Sequence, residues 1–144
     1  MKRFHIHIAV DDLEQNIRFY SALFQTEPTI LETDYAKWML DDPRINFAVS
    51  NRGRKAGLDH LGLQVESDQE LEAVKQGLSA AALPVTAQKQ AACCYAQSDK
   101  YWSIDPQRIA WEAFHSLNAI PMFGDDQAIQ LESGSSCCKP ATEA

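Results

Sequence analysis

The chain has 144 residues, 45% hydrophobic and 23% charged, the size and balance of one globular domain with a substantial core. Thirteen basic residues against twenty acidic ones leave a formal net charge of −7, which argues against nucleic-acid backbone binding as the main task. No apolar run approaches the roughly 20 residues of a membrane span. His5, His7 and Asp11 also break the apolar stretch that a signal peptide would need after Lys2 and Arg3, so a cytoplasmic protein is expected.

The first element is a strand. In Phe4-His5-Ile6-His7-Ile8-Ala9-Val10, residues Ile6, Ile8 and Val10 share one face and His5, His7 and Ala9 the other. Asp11, with Glu14 three residues on, reads as a helix start, and Leu13, Ile17, Tyr20 and Phe24 place an amphipathic helix over residues 12 to 24. Strands are predicted at about 27 to 33, 36 to 41 and 45 to 50, with Asp41-Asp42-Pro43 as a turn. A polar linker, 51 to 57, follows.

The pattern then begins again. Asp59-His60-Leu61-Gly62-Leu63-Gln64-Val65 alternates, Ser67 and Glu70 form a capping box, and a second helix runs to about Ala82. Strands are predicted at 84 to 91, 94 to 104 and 109 to 115. His5, Ile6, Ile8 and Val10 superpose on His60, Leu61, Leu63 and Val65, and further on Trp38 falls on Trp102, Phe47 on Trp111 and Ala48 on Glu112. The second copy carries an insertion between these anchors, and Cys93 and Cys94 lie in it. The expected architecture is α+β: tandem βαβββ modules forming a curled mixed sheet around a metal-binding cleft. The domain spans 1 to 117 (module one 1 to 50, module two 58 to 117), ahead of a partly disordered tail, 118 to 144.

Two features of this frame carry chemistry. The four cysteines form two adjacent pairs, Cys93-Cys94 and Cys137-Cys138. Sequence neighbours staple nothing together, so thiols kept reduced for binding or redox work are expected. Two vicinal thiolates suit zinc, cadmium, copper(I) or trivalent arsenic, whereas a doubled buried hydrophobe is the bland alternative. The second feature is a hard-metal set. A pseudo-twofold would bring His5 and His60 to one cleft, and Glu112 stands on an otherwise apolar strand face, where an unpaired carboxylate is costly. A lone histidine is more often structural than ligating, but the repeat relation between His5 and His60 favours ligation, with His7 as the fallback. Two histidines and a carboxylate with open positions form the ligand set of non-haem iron(II) oxygenases, and zinc or manganese could use the same ligands.

These residues resemble the vicinal oxygen chelate superfamily of glyoxalases, extradiol dioxygenases and antibiotic-resistance proteins. Within it the chain is similar to the arsenic–carbon lyases and cadmium-induced proteins. The resemblance covers about residues 1 to 115. It rests on Phe4-His5 ahead of Val10-x-x-Leu13-Glu14, Ile17-x-Phe19-Tyr20, Tyr35-Ala36-Lys37 and His60-Leu61-Gly62. Cys93-Cys94-Tyr95-Ala96, Asp99-Lys100-x-Trp102, Trp111-Glu112 and the tail cysteine pair complete it. It implies iron(II)-dependent, oxygen-consuming cleavage of the carbon–arsenic bond of trivalent organoarsenicals such as methylarsonous acid, giving arsenite and an oxidised carbon fragment. Cys93 and Cys94 would hold arsenic, His5, His60 and Glu112 would hold iron, and Cys137 and Cys138 would serve accessory substrate capture. Two positions depart from the family: Arg108, where glycine is usual, and Ser98, where glutamine is common. The competing readings are a non-catalytic cadmium- or arsenite-binding resistance protein and a glyoxalase or fosfomycin-type thiol transferase. The transferase shares the two-histidine, one-glutamate set but has no evident use for Cys93-Cys94. Homodimerisation is left open.

Overall fold

The computed structural model describes residues 1–119. In chain order these form β1 (Arg3–Ala9), α1 (Leu13–Phe24), β2 (Ile30–Leu31), β3 (Tyr35–Asp41), β4 (Arg44–Ser50), β5 (Gly57–Val65), α2 (Asp68–Ala80), β6 (Thr86–Cys93), β7 (Ala96–Ile104) and β8 (Ala110–Ala119). One eight-stranded sheet runs β2-β3-β4-β1-β5-β8-β7-β6. That order reads the same from either edge. Each module contributes a strand, a helix and three strands, and the two modules meet where β1 pairs with β5. Cys137 and Cys138 lie outside the described residues. Among the described residues no helix is long and apolar enough to cross a membrane.

The alternation in β1 sets the layers. Ile6 and Ile8 pack with Val10, Trp38, Phe47 and Val49 beneath the apolar side of α1, formed by Leu13, Ile17, Tyr20 and Phe24. In the second module Val65, Tyr101 and Ala113 play this part with Leu71 and Val74 of α2. The other sheet face carries the buried polar residues His5, His7, His60 and Glu112. Both helices start on side-chain caps, each worth about 1 kcal/mol. Ser67 accepts from the Glu70 amide as expected. In α1 the cap is Asp12, which accepts from Gln15 N, one residue later than the Asp11 start read from sequence.

Register shows how far the internal symmetry extends. Ile6 stands opposite Phe47 in β1–β4 and Leu61 opposite Trp111 in β5–β8, so His7–Ala48 and Gly62–Glu112 are equivalent pairs. Ala48 is therefore the structural counterpart of Glu112. The superposition of Trp38 on Trp102 does not hold. Trp38 pairs with Phe47 under α1, whereas Trp102 pairs with Glu112 on the cleft face. The residue equivalent to Trp102 is Lys37, which pairs with Ala48. A slip of one residue moves a side chain to the opposite face, and the unequal β3–β4 and β7–β8 turns introduce it.

The second of those turns is a three-residue hairpin loop. Asp105 O accepts from Arg108 N at 2.9 Å, the Asp105 carboxylate accepts from the amides of Gln107 and Ile109, and Arg108 has φ of 68°. A loop of this kind favours glycine at the left-handed position, which accounts for the glycine that the resemblance leads one to expect where this chain has Arg108. We expect Arg108→Gly to raise the free energy of unfolding by about 1 kcal/mol, since the left-handed region penalises residues with a Cβ by roughly that much. Urea denaturation of the two proteins measures it.

Candidate active site

Two rows of side chains cross the cleft face. Lys37, Ala48, His7 and His60 stand side by side on β3, β4, β1 and β5. Beside them run Asn46, His5, Gly62, Glu112 and Trp102, on β4, β1, β5, β8 and β7. Gly62 has a steric reason to be glycine: a Cβ there would collide with the backbone carbonyl oxygen of Glu112. Its absence lets β8 approach β5 closely, which carries Glu112 to the histidines.

The three expected metal ligands, His5, His60 and Glu112, come together. His5 Nε2 lies 3.1 Å from His60 Nε2, and Glu112 Oε2 lies 3.3 Å from the latter and 3.7 Å from the former. Each ring is oriented from behind. His5 Nδ1 donates to the Asn46 carbonyl at 3.0 Å, and His60 Nδ1 donates to Asp59 Oδ2 at 2.8 Å. With their protons on Nδ1, both rings turn a lone pair toward one point, where the carboxylate adds a third. Three unprotonated donors so close repel one another unless a cation lies between them. Donors around a first-row divalent ion at about 2.1 Å are about 3 Å apart, so the set fits such an ion.

His7 is a fourth nitrogen donor at this place. Among the described residues His5, His7 and His60 form a group whose ligand atoms lie within 4.8 Å of one another, able to hold a metal ion. His7 Nε2 is bonded to Ser50 Oγ at 2.8 Å, and its buried Nδ1 has no hydrogen-bond partner among the described residues. Burial, and then the neighbouring His60, push the His5 pKa down to about 4 and that of His7 well below its ordinary value. Burial alone would raise the Glu112 pKa, but Lys100 and the histidines hold it well below the carboxylate range.

The cysteines sit at the far end of the first row. Cys93 ends β6 and packs with Tyr35 and Ala48, and Cys94, Tyr95 and Ile30 close around them. Cys94 and Tyr95 form the two-residue loop to β7, both with positive φ, 55° and 59°. Such a turn usually recruits asparagine and glycine. Here contacts to module one hold it: Tyr95 OH donates to Asp34 Oδ1 at 2.5 Å, and the Tyr95 ring packs on Tyr35. Burial lowers the Lys37 pKa, and the nearby Cys94 opposes that shift. The two sulfurs are 3.0 Å apart. Joint binding of one soft atom requires both sulfurs to be reduced.

No family model matches the sequence, but full-length relatives do. The chain is 38% identical over 123 residues to the trivalent organoarsenical cleaving enzyme of Bacillus sp. (strain MD1), covering 83% of this chain and 76% of that one. It is 34% identical over 125 residues to the cadmium-induced protein CadI of Mycobacterium tuberculosis (strain ATCC 25618 / H37Rv), with 86% and 82% covered. The chain belongs to this family. Its fold is that of the vicinal oxygen chelate proteins. An extradiol ring-cleaving dioxygenase from B. fuscum superposes with a TM-score of 0.61 at 14% identity, over 81% of this chain and 32% of that one. The Mn(II)-bound glyoxalase from Novosphingobium aromaticivorans gives 0.60 at 14%, over 83% and 42%.

In this member of the family, sequence reasoning missed the residues behind the donors: Asp59, the Asn46 carbonyl, Ser50 and Lys100. Asp59 precedes His60, and Lys100 alternates with Ser98 and Trp102 on one strand face; those were the available signals. One consequence is measurable in the metal-free protein. A histidine titrates at 6.5 in the unfolded chain, and His5 at about 4 in the folded one. The unfolded chain binds more protons between those values. Stability present above pH 6.5 is therefore lost progressively as pH falls toward 4. Thermal melts of metal-free protein across that range should show a falling midpoint, less steep in His5→Gln.

Proposed function

We propose that the chain is a lyase that uses iron(II) and dioxygen to cleave the carbon–arsenic bond of trivalent organoarsenicals, methylarsonous acid among them. The observation that carries this reading is the spacing of two unlike donor sets on one cleft face. Soft sulfur donors stand at Cys93 and Cys94, and hard donors at His5, His60 and Glu112. Ala48 packs against Cys93 and pairs with His7, which in turn stands opposite His60, so Ala48 and His7 are what lies between the two ends. The names of the relatives support the same substrate class.

In this reading reduced Cys93 and Cys94 bind arsenic as thiolates, and the Lys37 ammonium offsets their charge. Bound there, the arsenical directs its carbon substituent over Ala48 toward the histidines. Iron(II) held by His5, His60 and Glu112 would supply the activation of dioxygen. His60 is walled by the Trp102 ring, with ring centroids 5.2 Å apart, which keeps bulk water from that side. One dioxygen per methylarsonous acid balances arsenite plus formaldehyde. The test is incubation of reduced protein with iron(II), oxygen and methylarsonous acid, following oxygen uptake and arsenic speciation. Arsenical retained on the protein with no oxygen consumed would instead indicate sequestration.

Two substitutions probe the two ends separately. Cys93→Ser and Cys94→Ser each replace a soft ligand with a poor one, and each should abolish turnover while iron affinity persists. Full activity in either variant would overturn the arsenic-site assignment. Ala48→Glu places a carboxylate at the structural equivalent of Glu112. It should bind divalent metal at least as tightly as the parent yet lose oxygen-dependent cleavage, because the added ligand fills a position that the reaction needs. Ala48 is fully buried, so a thermal melt of the same variant accounts for overpacking, typically about 1–3 kcal/mol.

A further inference from the structure

Lys100 is 3% exposed, and no step above uses it. A buried ammonium costs several kcal/mol unless it is closely paired. Its Nζ lies 2.8 Å from Glu112 Oε1, while the other oxygen, Oε2, faces His60 and His5 at 3.3 and 3.7 Å. One carboxylate is thus divided, with one oxygen to Lys100 and the other to the two histidines. Strand register places them so. Trp102 is directly opposite Glu112 and Lys100 opposite Phe114, which makes Lys100 and Glu112 diagonal neighbours on the cleft face.

The first module supplies an internal control. There the residue equivalent to Glu112 is Ala48, and the residue equivalent to Lys100 is Tyr35, which packs on Ala48. Where the carboxylate is replaced by a methyl group, the ammonium is replaced by a phenol ring. The lysine therefore accompanies the carboxylate and is not a requirement of the module's packing.

We propose that Lys100 is a positioning residue that reserves Oε1 of Glu112, so that the carboxylate binds a divalent cation through Oε2 alone. With two histidines, a one-oxygen carboxylate occupies three positions of an octahedral ion and leaves three open; a two-oxygen carboxylate would leave two. The ammonium also offsets the carboxylate charge, so the cation attracts incoming anionic ligands more strongly. The inference rests on Glu112 being a metal ligand.

The experiment uses cobalt(II) as the cation and azide as the anionic probe, on reduced full-length protein. A crystal structure of the cobalt-loaded parent should show one Glu112 oxygen on the metal. Lys100→Met should place both oxygens on it, change the visible spectrum of bound cobalt, hold cobalt no more weakly than the parent and bind azide about tenfold more weakly, because one open position is filled and the ammonium charge near the cation is gone. Two oxygens on cobalt in the parent would overturn the proposal without recourse to any variant. So would a Lys100→Met protein with unchanged spectrum and azide affinity. Glu112→Gln separates the two levels of the argument: cobalt affinity equal to the parent's would show that Glu112 is not a ligand, and the site assignment would fail along with the inference.

Discussion

The antiparallel pairing of β1 with β5 is the interaction on which the rest of the structure depends. It sets His7 directly against His60 and His5 against Gly62, joining one strand from each module along the centre of the sheet. All the nitrogen donors at the site come from these two strands. A strand offers its side chains to alternate faces, so moving this register by one residue would turn the histidines toward the helices. Gly62 extends the arrangement outward, because only a residue without a Cβ lets the Glu112 backbone lie so close.

That pairing also places unlike chemistry at workable separation. Sulfur donors and imidazoles on adjacent positions would compete for the same ion. Here the row Lys37, Ala48, His7, His60 keeps a lysine toward the cysteine end and the imidazoles at the other, with the smallest apolar side chain between them. The charges follow the same division. Lys37 lies near Cys94, and Lys100 pairs with Glu112.

Several of these positions are locally unfavourable and are held from a distance. Cys94 and Tyr95 take left-handed backbone conformations that cost non-glycine residues of order 1 kcal/mol or more each, and the link from Tyr95 to Asp34 and Tyr35 in the other module holds them there. His5, His7, Lys100 and Glu112 are polar groups in the interior, each stabilised by a partner on a different strand. Such groups at the cleft, with the clusters around Trp38 and Leu71 on the helix side, are the expected distribution for a site built on a rigid sheet.

Periodicity within β1 and β5, their likeness to one another and the capping patterns already determined two βαβββ modules and the cleft-facing direction of His5, His7 and His60, because a strand's side-chain period of two is a local property. The pairing of Glu112 with Ala48 was legible for a related reason: β4 and β8 align with constant spacing. Tertiary structure alone decided what depends on neighbouring strands. It put Trp102 on the cleft face and Trp38 under α1, since the residues spent in each hairpin turn change the register that sequence spacing assumes constant. It set the Asn46 carbonyl behind His5, and it brought Lys100 to one oxygen of Glu112. Those contacts run across strands, and a linear sequence holds no record of which residues will stand opposite one another until the turns have closed.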